Sequence, residues 1–461
     1  MKKRFAICST IVLLLLLSAC GAPQTLDFSY APEGEELSSL MVETSQTHRA
    51  ELEHVPSAAD FADAISDDPA SAGLLSESEV ESLLRGHAAM ETVSKEQAQS
   101  DVSLLFRTLQ SAYGAYEYFG QEKFDAAEDA VTQWLSSQDD EIKVSALGEK
   151  LQESLAFMLA HDAHAVIYEP AAEEIEAQVR YEYFFADGFY FSKDVNGSYY
   201  MVNDGERWTL SSFSDEHVSV QPTLLQDGRI VYQPTLFALR KDAVQSSVTL
   251  KNSSGKAKIY RLDWTESQPL DVDLGTLDYR LIQEDGLTYV SLRSFVSGTY
   301  DNMLARYARE GAKARGSKAV IYDLRGNVGG SDSWPRKWIQ SFLGTQNSIE
   351  TSMLYAQKNS ALFAAENSES LLPEDEGTCF AREVHGTWYE NDIPIIVLVD
   401  DHCGSSGEGA VQLLKTLDNV LVVGSNTAGY QLCGNISTFT LPYTGIGVRF
   451  GSTLFLYGDG E

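Results

Sequence analysis

The chain has 461 residues, with 34 Lys and Arg against 67 Asp and Glu, a formal charge of −33. That balance argues against a nucleic-acid binder and against adhesion to anionic lipid headgroups through the protein surface. Aromatic residues make up 10% of the chain, too many for a disordered polymer, and the length suffices for about two or three domains with full cores.

In chain order, Lys2, Lys3 and Arg4 precede an apolar run, 5–17, that is short for a membrane span. Leu17-Ser18-Ala19-Cys20 then matches a bacterial lipoprotein box. Residues 1–19 are therefore expected to be a signal peptide, with Cys20 lipidated as the membrane anchor. Residues 20–80 are acidic and weakly periodic, a tether with room for one short helix. Residues 81–170 read as a helical domain, since Val102, Leu105, Leu109, Tyr113 and Tyr116 recur at helical spacing. Residues 171–270 switch to short Tyr, Phe and Val runs broken by Asp187-Gly188, Asn196-Gly197, Asp204-Gly205 and Asp227-Gly228, the pattern of a small antiparallel domain. From 271 to 461 strand and helix alternate, which predicts an α/β core: strands 289–292, 318–324, 393–399 and 420–424, and helices 300–311, 334–342 and after Gly407. Of the three cysteines beyond the leader and anchor, Cys379, Cys403 and Cys433, none fits a zinc spacing. Cys403 and Cys433 could pair outside the cell or remain thiols.

Two strand-to-turn junctions carry chemistry. The apolar run 393–399 leads through Asp400-Asp401-His402-Cys403-Gly404 to Ser405-Ser406-Gly407-Glu408 and a helix. A serine on that turn presents its hydroxyl where the next N–H groups stabilise an anion; the same residue is also an ordinary helix cap. The run 319–324 leads to Arg325-Gly326-Asn327-Val328-Gly329-Gly330, where adjacent glycines let backbone approach a substrate carbonyl. The expected oxyanion donors are the N–H of Ser406 and of Gly329 or Gly330. A serine nucleophile needs a base. His402 shares the serine's turn and is expected to shape the loop. His161, Asp162 and His164 have spacing that hints at metal, but without a third distant ligand no metal is expected. Gly404-Ser405-Ser406-Gly407 is out of frame for the Gly-x-Ser-x-Gly of serine esterases.

Three stretches together resemble the tail-specific, or C-terminal processing, serine peptidase family. Asp162-Ala163-His164-Ala165 resembles its D-G-H-T segment. Asp323 to Gly330 resembles D-L-R-G-N-x-G-G. Gly404-Ser405-Ser406-Gly407-Glu408 with Val423-Gly424-Ser425-Asn426-Thr427-Ala428-Gly429 resembles S-S-A-E … G-x-x-T-x-G. The lysine of the family's dyad branch is replaced by Tyr430, so the likeness is to the tricorn-like branch, whose histidine maps onto His164. Ala163 stands where tricorn has an orienting serine. The branch's orienting glutamate maps onto Glu461, and the family's G-x-x-P-D ending is not found. The resemblance implies a ClpP/crotonase-like α/β core, with the helical domain before it and the β-rich segment in the slot of the family's PDZ module. It implies Ser405 as nucleophile, His164 as general base and Glu461 as third member. The expected protein is a lipid-anchored extracytoplasmic serine peptidase acting on peptides or unfolded proteins, without cofactor or nucleic acid and of open oligomeric state. The rival expectation is a non-catalytic peptide-binding lipoprotein on the same scaffold.

Overall fold

The computed structural model describes residues 36–59, 74–168, 181–186, 188–203, 205–225, 229–239, 246–266, 279–298, 300–366 and 379–458. The leader, Cys20 and Glu461 lie outside the described residues. No described helix is long and apolar enough to cross a membrane. The chain divides into two compact units, one made of Met1–Val42 with Val179–Pro269, the other of Glu43–Gln178 with Leu270–Glu461.

The first unit is built on antiparallel β-structure. One sheet has the order Ala257–Arg261, Ser247–Lys251, Glu206–Phe213, Tyr199–Asn203, Ser192–Lys193; a second has the order Trp264–Glu266, Tyr181–Ala186, Ile230–Leu239, Val218–Leu224. Asn196-Gly197 is a true turn: Gly197 takes φ 79°, and Asp194 Oδ1 accepts the N–H groups of Asn196 and Ser198 at 2.9 and 3.0 Å. Phe191, Trp208, Tyr232, Val248 and Tyr260 are buried in one apolar cluster.

The second unit holds two sheets. The first has the order Arg280–Glu284, Leu287–Ser291, Ala319–Asp323, Ile395–Val399, Val420–Gly424; its outer hairpin is antiparallel and the other pairs are parallel. The central strands alternate buried Val320 and Tyr322, Ile395 and Val397, and the helices Asp301–Ala314 and Ser333–Leu343 bury Tyr307, Trp338 and Phe342 in the same cluster. Parallel strands need crossovers, and the helical crossover leaves the strand ends free to carry functional turns.

Strand and helix do not alternate to the end of the chain as the sequence predicts. The second sheet is antiparallel, in the order Cys379–Val384, Met353–Lys358, Gly447–Tyr457, Cys433–Thr440, with Val166–Tyr168 added to Gly447–Tyr457. Nor do the helices 81–170 form a domain of their own. The helix Lys95–Ala112, whose N-terminus Ser94 and Gln97 close as a capping box, buries Leu105 and Leu109 in one cluster with Phe439, Phe450 and Leu454 of the second sheet. An amphipathic helix must cover its apolar face, and here the cover is sheet as well as helix. Gly114 lies so close to that sheet that a Cβ would stand 2.7 Å from the Thr453 nitrogen; its N–H donates to Gly451 O at 2.9 Å. The presumed tether also contains fixed structure. Within the helix Leu37–Glu53, Ser45 Oγ accepts the Asn419 N–H at 3.0 Å, Glu51 pairs with Lys415 at 2.7 Å, and Leu52 O accepts from Ser352 Oγ at 2.5 Å.

Candidate active site

The strands Ala319–Asp323 and Ile395–Val399 are parallel neighbours, so the turns that follow them lie side by side. Asp400 Oδ1 accepts the Gly326 N–H at 2.8 Å, and Asn327 O accepts the Gly404 N–H at 2.9 Å. Ser405 sits at the end of the second turn, just before the helix Ser406–Leu414, with φ 53° and ψ −121°. Left-handed φ at a non-glycine residue costs about 1–3 kcal/mol and persists only where neighbours enforce it. Glu408 is that neighbour. Its carboxylate, 1% exposed, accepts the N–H of Ser405 at 2.9 Å, of Gly429 at 2.8 Å and of Tyr430 at 2.9 Å. Through the Ser405 bond Glu408 caps the helix, and through the other two it ties the serine turn to the loop at 427–430. Burial raises its carboxyl pKa against the pull of these bonds.

The Gly329-Gly330 turn packs directly on the serine. Gly329 has φ 97° and Gly330 φ 139°, and a Cβ on Gly329 would stand 2.7 Å from Ser405 Cβ and 2.9 Å from Ser406 N. Only glycine allows that approach. The two candidate donors separate here. The Gly329 N–H donates to Asn327 Oδ1 at 2.9 Å, whereas Gly330 is held by the flanking bonds Phe295 N–H to Gly329 O at 2.7 Å and Ser331 N–H to Phe295 O at 3.0 Å, which leave its own N–H out of that ladder. The Ser406 N–H, at the first helical position, is one of the donors a helix leaves without an internal partner. Asn327, fully buried, also donates through Nδ2 to Leu292 O at 2.8 Å and thus fixes the glycine turn. Asp323 braces the same loop. Burial alone would raise its pKa, but bonds from Arg325 at 2.9 Å, Tyr289 at 2.7 Å and Arg293 at 3.3 Å hold it at about 2.

His164 follows the helical segment and precedes the strand Val166–Tyr168. Its Nδ1 lies 2.6 Å from Cys433 O. A carbonyl can only accept, so Nδ1 carries the proton and Nε2 keeps its lone pair. The ring is 6% exposed and packs against Tyr430, with centroids 4.6 Å apart. Burial lowers its pKa to about 4, opposed by the Cys433 bond. Tyr430, at the position of the dyad lysine, also faces Gly404, where a Cβ would meet its ring at 2.8 Å. One aromatic ring thus touches both the histidine and the serine turn.

His161 is separate from this group. It bonds Phe157 O at 2.8 Å, and Asp162 accepts the His164 backbone N–H at 2.9 Å, so the three do not converge as metal ligands. Among the described residues Asp400, Asp401 and His402 bring potential ligand atoms within 4.8 Å of one another. His402 faces Asp401 at 2.9 Å and Asp400 Oδ1 is already engaged by Gly326, so loop shaping accounts for their placement. Cys403 and Cys433 are free buried thiols.

With this geometry in view, residues 286–457 match the model of peptidase family S41. That stretch lies within the α/β part of the chain and supports a serine-type peptidase. No curated protein matches the chain. Among solved structures it is similar to mature CPAF, at 13% identity over 80% of this chain and 90% of that one with a TM-score of 0.42. It is similar to a photosystem II D1 C-terminal processing protease, at 13% identity over 79% and 89% with a TM-score of 0.35. A lipoprotein from Streptococcus agalactiae matches at 15% identity over 81% and 90% with a TM-score of 0.32. The S41 match begins after His164 and ends before Glu461.

Proposed function

We propose that the chain is an S41 peptidase that cleaves peptide bonds by attack of Ser405, with His164 as general base and the N–H groups of Ser406 and Gly330 holding the oxyanion. Substrates are peptides or unfolded proteins. The observation that carries the reading is the Ser405 backbone, held at φ 53° against the Gly329 turn. That conformation is maintained at a cost by buried Glu408 and brings the Ser405 turn against the glycine turn, which supports a nucleophile beside backbone N–H donors, the arrangement acyl transfer needs. His164 supplies a buried, neutral imidazole of the correct tautomer. A third member at Glu461 lies outside the described residues; a carbonyl, Cys433 O, accepts from Nδ1. We further propose, from Leu17-Ser18-Ala19-Cys20 alone, that the enzyme is anchored by lipid on Cys20 at the outer face of the cell membrane.

A fluorophosphonate probe with peptide mapping tests the mechanism. Labelling is expected at Ser405, absent in Ser405→Ala and nearly unchanged in Ser406→Ala, because Ser406 contributes only its backbone. Label on Ser406 would show that the nucleophile is misassigned, whereas a folded wild type that takes none would return the chain to the rival reading, a non-catalytic peptide-binding scaffold. For the anchor, Cys20→Ala is expected to move the protein from the detergent phase to the aqueous phase; a wild type already in the aqueous phase would exclude it.

A further inference from the structure

In Ser-His-Asp triads a carboxylate accepts the Nδ1–H of the base. Here the acceptor is the backbone carbonyl of Cys433, which has no charge with which to hold the ring, so the geometry must be fixed from behind. A fully buried carboxylate lies one step back. Asp162 Oδ1 accepts the His164 backbone N–H at 2.9 Å, and Oδ2 accepts from Tyr113 OH at 3.0 Å. The Cys433 side chain is also hydrogen-bonded to Asp162. A thiol facing a carboxylate is the donor. Three donors from three separate segments therefore converge on one carboxyl group, with the helix end at Tyr113, the His164 turn and the first residue of the strand Cys433–Thr440 each contributing one. Tyr113 is itself fixed, packed 5.6 Å from Phe450, with its neighbour Gly114 bonded to Gly451.

We infer that Asp162 is the positioning residue of the general base, because it grips both ends of the hydrogen bond that aims His164: the His164 main chain directly, and Cys433, whose carbonyl accepts that bond, through its thiol. This rests on His164 acting as the base in the reading above. Asp162 touches no reacting atom and acts only through its neighbours. A buried carboxyl without a role would be a net liability in this core, since burying it costs several kcal/mol unless donors meet it. The three donors it holds are those that set the base in place.

The test uses the full chain labelled with 15N-histidine, in which the Nδ1 proton resonance of His164 is identified by its loss in His164→Ala. In Asp162→Asn an amide NH2 must face donors. The expected result is a His164 Nδ1–H line shifted or lost to exchange. The maximal fluorophosphonate labelling rate is expected to fall about ten- to a hundredfold with little change in probe affinity, since a displacement of about 1 Å costs that much. The acid limb of the labelling rate should move as well, which a merely structural residue would not cause. Should Asp162→Asn fail to fold, Cys433→Ala removes only the thiol tie and Cys433→Ser restores a donor; loss in the first and recovery in the second support the inference. A wild-type Nδ1–H line and pH profile in folded Asp162→Asn, or in Cys433→Ala where that is the variant available, overturn it while His164→Ala remains inactive. A wild-type rate in His164→Ala would instead sink His164 as the base, and this proposal with it.

Discussion

In the proposed mechanism His164 must be neutral to take a proton from Ser405, and it titrates where its surroundings put it. The sequence supports an ionisation near pH ~6.5, the ordinary value for imidazole. Burial under Tyr430 lowers it to about 4, and Arg449, donating to His164 O at 3.1 Å, adds to the lowering. The base is then unprotonated across the whole neutral range. We expect the labelling or peptidase rate of the free enzyme to be flat from about pH 8 down to about pH 5 and to fall as pH approaches 4, with His164→Ala flat and near zero throughout. A rate that halves near pH 6.5 would mean that the ring is solvated in the working enzyme. The same lowering has a cost in strength, because a weaker base removes the serine proton less readily. Of these features the sequence exposed the residue types, Ser405, His164 and the glycine pair, because each has a side chain or a lack of one that the chemistry requires. It could not expose Cys433 O, since every residue has a carbonyl and only the fold chooses which one faces a ring. It also left Gly329 and Gly330 equivalent; the Asn327 side chain, reaching back two residues, separates them.

Among elements, the parallel strands were legible because they read as short apolar runs followed by turns rich in Gly and Asp. The antiparallel sheet around Gly447–Tyr457 was not, because its partners are Met353–Lys358, Cys433–Thr440 and Val166–Tyr168, and pairings so distant in sequence leave no local period. The helix Leu37–Glu53 was likewise hidden in a segment of tether-like composition. Its docked half makes a prediction of its own. His48 is 8% exposed, its Nδ1 has no partner, and burial followed by the charge of Lys415 lowers its pKa to about 3. A folded pKa below the unfolded ~6.5 means that the unfolded chain binds the extra proton between those values. The stability is therefore present above pH ~6.5 and declines as pH falls toward 3, by up to about 1.4 kcal/mol per pH unit from this group. His164 acts in the same sense between ~6.5 and 4. We expect the midpoint of thermal unfolding to drop steadily from pH 7 to 4, and His48→Leu to flatten that slope by removing one of the two groups. An unchanged slope in the variant would show that His48 takes up its proton without leaving its site.

At the scale of the molecule the cores decide what folds alone. The β-rich unit has its own cluster of Phe189, Phe191, Trp208, Tyr232, Val248 and Tyr260, and its sheets close within 181–266. The helices of 81–170 have no such independence, since Leu105, Tyr113 and Phe124 share one cluster with Leu354, Phe450 and Leu454 far along the chain. Removing those strands would expose the helices' apolar faces, at roughly 25 cal/mol for each Å² returned to water. A fragment of residues 179–269 is therefore expected to fold, with cooperative thermal unfolding and the near-ultraviolet dichroism of a packed Trp208. A fragment of residues 81–170 is expected to show helix without a cooperative transition. The complete chain should then unfold calorimetrically in two steps, and only the step of the larger unit should move when Ser405 carries a bound phosphonate, because ligation stabilises the unit that holds it. A folded, cooperative 81–170 fragment would restore the separate helical domain that the periodicity alone predicts. It would also mean that His164 is carried on a body able to move away from the strand Cys433–Thr440, whereas the shared core ties the His164 segment to the sheet whose Cys433 carbonyl accepts its Nδ1–H.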